Sequence, residues 1–375
     1  TSHRYQPYVV SSMDDIAQLG RLSPARRLAM RALAHVLPFR TNSYVVEELI
    51  DWDDVPNDPI YQLTFPQPGM LEPADLASVT SLVRQGASAQ QIRPVADKIR
   101  RKLNPHPAGQ LEHNVPRLDG TPLPGLQHKY KETVLFFPGR GQTCHAYCTY
   151  CFRWAQFVGM EGLKFAQRET ETFLEYLRRH TEVTDVLFTG GDPLIMRAWH
   201  LRAYIDPLLK PGFEHLRHIR IGTKALAFWP YKFVTDPDAD ALLRLFERVV
   251  ASGRHLALMA HFTHPRELET PVVRRAIERI RGTGAVIRTQ APLVRHINDS
   301  ASTWAEMWRA QVALGCIPYY MFVERDTGPK GYFEVPLATA HDIFRRAFRQ
   351  VSGLARTVRG PSMSATPGKV VVLGT

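Results

Sequence analysis

Apolar residues recur at helical spacing through roughly the first hundred positions of the chain. Ser23 followed by Pro24 is a typical helix start, because serine can accept from free backbone N–H groups and proline fits the first turn. The amphipathic spacing returns twice before a stretch rich in proline and glycine, which predicts a linker or wrapping arm. The predicted helices cover 25–37, 73–83 and 93–103, and the linker covers 104–128.

From about residue 130 the pattern changes to short apolar runs that alternate with amphipathic segments. Six such runs separated by helices predict a parallel sheet with right-handed crossovers, and six units are too few for a closed eightfold barrel. We therefore expect an α/β fold with an open or partial barrel. The predicted strands are 134–137, 185–189, 219–222, 256–261, 285–288 and 318–323, and the helices between them are 169–180, 197–209, 237–252, 271–281 and 303–314.

These patterns divide the chain into three regions. Residues 1–125 form an N-terminal helical region with its linker, residues 126–330 form the partial barrel, and residues 331–375 form a short C-terminal extension. The extension begins with a predicted helix over 338–351. A loop rich in glycine, serine and proline follows, and the chain closes with a strand-like segment at 370–373.

Composition narrows the class of protein. Hydrophobic residues make up 44% of the 375 positions and charged residues 22%, which is the composition of a globular protein. No apolar stretch is long enough to span a membrane and the first residues lack a secretory pattern, so we expect a cytoplasmic protein without a membrane partner. The net charge of +11 favours anionic partners, either a phosphate- or carboxylate-bearing ligand or a macromolecule. Cys316, in apolar surroundings, is predicted to be buried.

Three of the four cysteines lie within eight residues, in the pattern C-x3-C-x2-C. Cys144, Cys148 and Cys151 follow the first predicted strand through a glycine-rich turn at 138–141. Three thiolates on one loop can bind three irons of a [4Fe–4S] cluster and leave the fourth iron open. A structural zinc site normally has four protein ligands, and His145 would have to be the fourth here. The pattern favours the iron–sulfur cluster.

A second motif ends the next predicted strand and consists of Thr189, Gly190, Gly191 and Asp192. Consecutive glycines let the backbone approach a ligand closely, and the aspartate can accept from an ammonium group. Taken alone, such a turn is usually a plain connection between a strand and a loop. Its place one strand after the cysteine loop favours a ligand-binding role.

The cysteine spacing after the first strand of a βα array resembles the radical S-adenosylmethionine (SAM) superfamily. The resemblance implies a partial (β/α)6 barrel, a [4Fe–4S] cluster whose open iron binds SAM, and a 5′-deoxyadenosyl radical made with an electron from a flavodoxin- or ferredoxin-type donor. It also implies that the turn at Gly190 and Gly191 binds the methionine amino group of SAM. Tyr150 would lie near the adenine, with simple packing of the loop as the alternative.

Over most of residues 125–370 the chain resembles the lysine 2,3-aminomutase family. The stretches that carry the resemblance are Gly125–Tyr130, Cys151–Arg153, Thr189–Asp192, Arg220–Lys224, His261–Pro265, His296–Asp299 and Pro318–Tyr320. The resemblance implies pyridoxal phosphate (PLP) on Lys369, Arg153 paired with the substrate carboxylate, and Lys224 and His261 in the SAM site. A satisfied loop histidine is the alternative for His261. In that family an amino group migrates between C2 and C3 of an amino acid.

Two departures from the family pattern concern PLP. The arginine that the family uses for the PLP phosphate is replaced by Thr133, and Lys129, Lys131 and Arg140 are the candidate substitutes. The glycine run before the PLP lysine is shortened to Pro367 and Gly368.

Further departures concern the substrate. Lysine-specific members bind the distal ammonium with two aspartates, which would fall at Arg325 and near Ser364. An arginine in place of a carboxylate reverses the preferred charge of the substrate tail. We therefore expect a substrate with an anionic or neutral polar end, such as glutamate, with Glu324, Arg325 and Asp326 setting the selectivity.

The leading interpretation is a radical SAM, PLP-dependent 2,3-aminomutase for a small amino acid other than lysine. One alternative keeps the cluster and SAM without PLP, and performs dehydrogenation, epimerisation or elimination on an amino-acid-like or peptide substrate. Another modifies a macromolecule, which the basic charge would help to dock. The C-terminal zinc cysteines of some members are absent, so any homo-oligomer would assemble without structural zinc.

Overall fold

A computed structural model describes residues 4–106, 112–159, 166, 170–365 and 368–374. Buried apolar side chains form one continuous core that runs from Tyr8 to Val358 and joins the N-terminal region to the barrel. Cys316 belongs to this core, as its apolar surroundings predict.

The N-terminal region packs four helices against the barrel. Ser23 caps the first helix by accepting from the backbone N–H of Arg26 at 3.3 Å, which confirms the predicted start. The helix predicted over 93–103 begins earlier, because Ser88 and Gln91 form a capping box. The elements are β1 (Pro7–Val9), α1 (Pro24–Val36), β2 (Arg40–Asn42), α2 (Pro59–Thr64), α3 (Pro73–Arg84) and α4 (Ala89–Leu103).

The predicted linker contains more structure than its composition indicates. A small hairpin, β3 (Arg117–Leu118) with β4 (Thr121–Pro122), leads into β5 (Leu126–Tyr130). Strand β5 pairs antiparallel with the first barrel strand, so the linker prediction is wrong at its C-terminal end. Residues 107–111 of the predicted linker lie outside the described residues.

The barrel confirms the predicted α/β architecture. All six predicted strands are present, and each pairs in parallel with the next in chain order. The strands are β6 (Thr133–Phe136), β7 (Asp185–Phe188), β8 (His218–Thr223), β9 (His255–His261), β10 (Val286–Leu293) and β11 (Ile317–Val323). The helices are α5 (Trp154–Phe157), α6 (Thr170–Arg179), α7 (Ala198–Leu208), α8 (Ala225–Phe228), α9 (Ala239–Ala251), α10 (Pro271–Gly282), α11 (Ala301–Ala313), α12 (Lys330–Phe333) and α13 (Leu337–Arg349).

The C-terminal extension adds two strands, of which β12 (Arg359–Ala365) lies where the sequence predicts a loop and β13 (Gly368–Val371) overlaps the strand-like segment predicted at 370–373. Strand β12 pairs in parallel with β11, and β13 folds back on β12. The prediction fails because β12 consists largely of small and proline residues with no apolar alternation. Close packing selects them instead, since a Cβ on Gly360 would lie 2.6 Å from the Met321 carbonyl oxygen.

Strands β5 to β13 form one nine-stranded sheet, and Lys129 of β5 links its two edges. Its Nζ donates to the Ser364 hydroxyl at 3.3 Å and the Gly368 carbonyl at 3.0 Å, and also to the Ala365 carbonyl. Strand β5 is one edge of the sheet and β13 the other, so these bonds close the barrel nearly completely.

Replacing Lys129 should loosen the β12–β13 hairpin. For Lys129→Met we expect amide hydrogen exchange of the hairpin to be at least tenfold faster, because even one charge-assisted hydrogen bond contributes about 1.5–3 kcal/mol. Hydrogen-exchange mass spectrometry measures this, with Lys131→Met as the control on the same edge. Equal exchange in the two variants would contradict the closing role of Lys129.

Candidate functional site

A cavity of about 1900 Å³ opens at the barrel, and every strand from β5 to β13 contributes to its wall. Ligands of parallel α/β folds bind at the carboxyl ends of the strands, and the loops after β6, β7 and β11 all line this cavity. Most of the residues that the sequence analysis selects meet here. They are Cys144, Cys148, Tyr150, Cys151, Arg153, Thr189, Gly190, Gly191, Lys224, His261, Glu324, Arg325, Asp326 and Lys369.

The N-terminal region positions the cysteine loop. The backbone N–H of Tyr147 donates to the Arg40 carbonyl at 2.8 Å, and that of Thr149 to the Leu63 carbonyl at 2.9 Å. The Thr149 hydroxyl also donates to the Gln62 carbonyl at 2.8 Å. These anchors come from α2 and β2, so the loop is held between the barrel and the N-terminal helices.

The three thiols lie in a setting that suits a cluster. Burial raises the pKa of the Cys148 thiol to about 12, and it raises the pKa of Cys144 and Cys151 as well, so bound iron would be needed to hold them as thiolates. All three cysteines line the cavity, whereas His145 is buried and is not among the lining residues. Three thiols on one loop that face one cavity are a donor set that fits a [4Fe–4S] cluster.

The glycine turn after β7 packs directly against this loop. A Cβ on Gly191 would lie 2.6 Å from both the backbone N and O of Thr143, so only glycine allows the approach. Gly190 has a φ of +138°, a conformation that other residues rarely adopt. Both glycines line the cavity beside Cys144.

Asp192 forms its hydrogen bonds within the protein. It is buried, it is not among the cavity-lining residues, and protein donors bond to its carboxylate oxygens. The Thr223 hydroxyl donates at 2.8 Å, the Lys224 backbone N–H at 2.8 Å and the Leu194 N–H at 2.9 Å. Asp192 therefore braces the loops around the site, and its contact with a SAM ammonium stays a prediction.

Lys224 belongs to a buried polar network under the cysteine loop. Its ammonium donates to Glu267 Oε1 at 2.7 Å and to the Thr263 hydroxyl at 3.0 Å. The Tyr150 hydroxyl lies 2.9 Å from the same threonine oxygen. Tyr150 and Lys224 thus line the cavity with their polar ends already bonded inside the protein.

His261, the last residue of β9, and His264, which follows the strand, have different settings. His261 lines the cavity, and burial together with the Lys224 charge lowers its pKa to about 3, so it is neutral. His264 instead caps a turn, its Nδ1 accepting from the Arg266 N–H at 3.3 Å.

Arg153 projects into the cavity over an aromatic face. Its guanidinium carbon lies 4.2 Å from the centre of the Phe137 ring and 5.3 Å from that of Phe152. No carboxylate of the described residues forms an ion pair with Arg153, and burial lowers its pKa to about 10. The residue remains a cation that can receive a carboxylate.

The three residues after β11 separate in their roles. Arg325 stacks on Phe152 at 4.6 Å, on the same ring that Arg153 contacts. The Glu324 carboxyl oxygens are buried without a partner among the described residues, and burial and Glu334 raise its pKa to about 9. Asp326 also lines the cavity, and its Oδ2 lies 3.4 Å from the Nε2 of His106.

Lys369 lies over two stacked rings of β11. Its Nζ is 3.8 Å from the centre of the Tyr320 ring and 5.2 Å from that of Phe322. Desolvation of the amine lowers its pKa to about 8, and the charges of Arg220 and Arg359 act in the same direction. An amine with this pKa is a better nucleophile at neutral pH than an ordinary lysine.

Of the candidate phosphate substitutes, Lys129 lines the cavity, with its ammonium bonded to the β12–β13 hairpin. Neither Lys131 nor Arg140 is among the cavity-lining residues. Arg359 and Ser362, which the sequence analysis did not select, do line it. No local signal identifies them, since β12 resembles a loop in the sequence.

Comparison with known proteins identifies the family. Over 361 residues the chain is 32% identical to "Putative L-lysine 2,3-aminomutase" of Aquifex aeolicus, an alignment that covers 96% of this chain and 84% of that protein. The chain belongs to the lysine 2,3-aminomutase family of radical SAM enzymes. It is also 31% identical over 251 residues to "L-lysine 2,3-aminomutase" of Escherichia coli, covering 65% of this chain and 68% of that protein.

Other comparisons add little to the family assignment. No family model matches the chain. A radical SAM methyltransferase from Sphaerobacter thermophilus is 16% identical with a TM-score of 0.43, covering 79% of this chain and 94% of that one, a likeness too weak to bear on function. Among the described helices, none is both long and apolar enough to cross a membrane.

The contact between Gly191 and Thr143 predicts that a single methyl group will disrupt the cluster. For Gly191→Ala we expect anaerobically reconstituted protein to lose most of its iron and cluster absorbance, because the added Cβ would push the cysteine loop away. Gly222→Ala is the control, since its Cβ would meet only ordinary contacts from 3.5 Å. Wild-type iron content in Gly191→Ala would contradict this dependence.

Proposed function

We propose that this radical SAM enzyme is a PLP-dependent 2,3-aminomutase for an acidic amino acid rather than lysine. The observation that carries the proposal is that Lys369, although more than two hundred residues from the cysteines, lines the same cavity as Cys144 and Arg153. When bound, the cluster and SAM would supply a hydrogen-abstracting radical, and PLP an electron-accepting ring on the substrate amino group.

Lys369 has the properties that attachment of PLP requires. Its amine is accessible from the cavity, its pKa is about 8, and the Tyr320 ring lies beneath it. A substantial fraction is therefore neutral near physiological pH and can attack an aldehyde. The aromatic wall offers a flat apolar surface to a pyridine ring.

Arg153 and Arg325 can receive the two carboxylates of an acidic amino acid. Both guanidinium groups contact the Phe152 ring, and neither forms an ion pair within the described part of the chain. Each adds to the positive potential of the other, since the charge of Arg325 lowers the pKa of Arg153. An anion would relieve that repulsion, whereas the distal ammonium of lysine would increase it.

Glu324 agrees with this preference. With a pKa of about 9 its carboxyl group is protonated and neutral at pH 7, so it does not offset the nearby arginines. A neutral acid can donate a hydrogen bond to a substrate oxygen.

The proposal includes a cytoplasmic setting and a small diffusible reductant. An open-iron cluster is readily oxidised, which favours a reducing compartment and a flavodoxin- or ferredoxin-type donor. A homo-oligomer without structural zinc is compatible with the chain.

A second candidate uses the cluster and SAM without PLP, on an amino-acid-like, peptide or macromolecular substrate. Thr133 favours it, because it lacks the positive charge that the family uses for the PLP phosphate.

Borohydride trapping distinguishes the two candidates. We expect anaerobically purified protein, incubated with PLP and reduced, to carry a pyridoxyl group on Lys369 by peptide mass spectrometry. Labelling should rise with pH and be half-maximal near a pH of about 8, because only the neutral amine attacks the aldehyde. An intact cluster with unlabelled Lys369 would favour the PLP-independent candidate.

Substrate charge provides an independent test. Arg325→Met should reduce kcat/KM for glutamate by about 10- to 100-fold, the loss expected for one charge-assisted contact, with little effect on cluster content. Arg288→Met is the matched control, since it removes the same charge from a residue that is not among those lining the cavity. Efficient turnover of free lysine by the wild-type enzyme would overturn the acidic-substrate proposal.

A further inference from the structure

Thr133 occupies the position at which the family has the arginine for the PLP phosphate, so this charge is missing from β6. Arg220 of β8 and Arg359 of β12 bring positive charges to the same cavity. The Thr133 hydroxyl donates to Asp185 Oδ2 at 3.1 Å. Asp185 in turn holds Arg220 of β8, whose Nε donates to Oδ1 at 2.9 Å. Arg220 lines the cavity in this fixed orientation.

Arg359 of β12 supplies a second positive charge on the same wall as Lys369. It pairs in register with Tyr320, the residue whose ring lies 3.8 Å from the Lys369 Nζ. Its guanidinium carbon lies 6.0 Å from the Tyr319 ring, and no acid pairs with it within the described ranges. Arg359 is therefore a cavity cation without a protein counter-ion, next to the candidate PLP lysine.

Ser362 is an independent sign of a ligand at this wall. It is fully buried, it lines the cavity, and its hydroxyl has no hydrogen-bond partner among the described residues. Buried hydroxyls are nearly always bonded, because an unmet one is costly. Ser362 pairs in register with Phe322, which is two residues from Tyr320 on β11. Its side chain therefore lies on the same face of the sheet as the two rings that Lys369 contacts.

We propose that Arg359 and Ser362 of β12, with Arg220 of β8, bind the phosphate monoester of the PLP held on Lys369. The site rests on the proposed PLP dependence and replaces the positive charge missing at Thr133. A phosphate dianion would neutralise Arg359, accept from the Ser362 hydroxyl and contact Arg220 over its remaining guanidinium donors. Lys369, Arg359 and Ser362 then all lie on the β12–β13 hairpin, and Arg220 reaches the phosphate from β8.

The test compares PLP with pyridoxal, which has the aldehyde but no phosphate. Equilibrium dialysis of the anaerobically reconstituted full chain measures Kd for both compounds and for inorganic phosphate as a competitor. We expect wild type to prefer PLP. Arg359→Gln should weaken PLP binding by about 10- to 100-fold and leave pyridoxal binding nearly unchanged. Ser362→Ala should weaken PLP binding in the same selective way, by a smaller factor.

Arg288→Gln is the matched control. Arg288 also contacts the Tyr319 ring, at 5.3 Å, but it does not line the cavity. Its loss changes the net charge equally without removing a proposed phosphate ligand. We expect its preference for PLP over pyridoxal to equal that of wild type, and an equal loss in both arginine variants would overturn the proposal.

Two failures are distinguishable. If wild type binds PLP on Lys369 but Arg359→Gln retains the full preference over pyridoxal, the phosphate site is overturned and the proposed function stands. If wild type carries no pyridoxyl group on Lys369 after reduction, both are overturned. Competition by inorganic phosphate in wild type, lost in Arg359→Gln, would support the site.

Discussion

The buried carboxylate of Asp192 is the contact on which the arrangement of the site depends. It accepts from Thr223 and from the Lys224 backbone, while its own N–H donates to the Thr143 carbonyl at 2.8 Å. Three loops at the ends of β6, β7 and β8 are thereby joined at one point. The Gly191 backbone also packs on Thr143, so the cysteine loop and the glycine turn are in direct contact. A site for a cluster and its ligand needs such supporting contacts.

Closure of the barrel brings the far end of the chain to the same place. Lys129 holds the β12–β13 hairpin against β5, so Lys369 faces the cavity that the cysteine loop lines. The N-terminal region completes the enclosure through its backbone bonds to Tyr147 and Thr149. The site is therefore assembled from all three regions, although its metal ligands occupy one short loop.

Charge inside the cavity accounts for part of the basic balance of the chain. Arg153, Arg325 and Arg359 line it without acidic partners among the described residues, and Glu324 is held neutral by burial. Such an interior attracts carboxylates and phosphates and repels ammonium groups. These cavity arginines account for part of the overall charge of +11.

The sequence alone determined the six-stranded α/β core, the cysteine loop and the glycine turn, because each rests on local periodicity or on ligands close together in the chain. It also indicated Lys369 and Arg325, through resemblance to a family. The sequence did not predict strands β5 and β12. Strand β5 is mostly polar and follows a stretch rich in proline and glycine, while the small residues and proline of β12 become a strand only when a neighbouring strand supplies their partners. The brace at Asp192 and the positions of Arg359 and Ser362 depend on residues far apart in the chain. Only tertiary packing could decide which carboxylates are already satisfied and which cations remain available to a ligand.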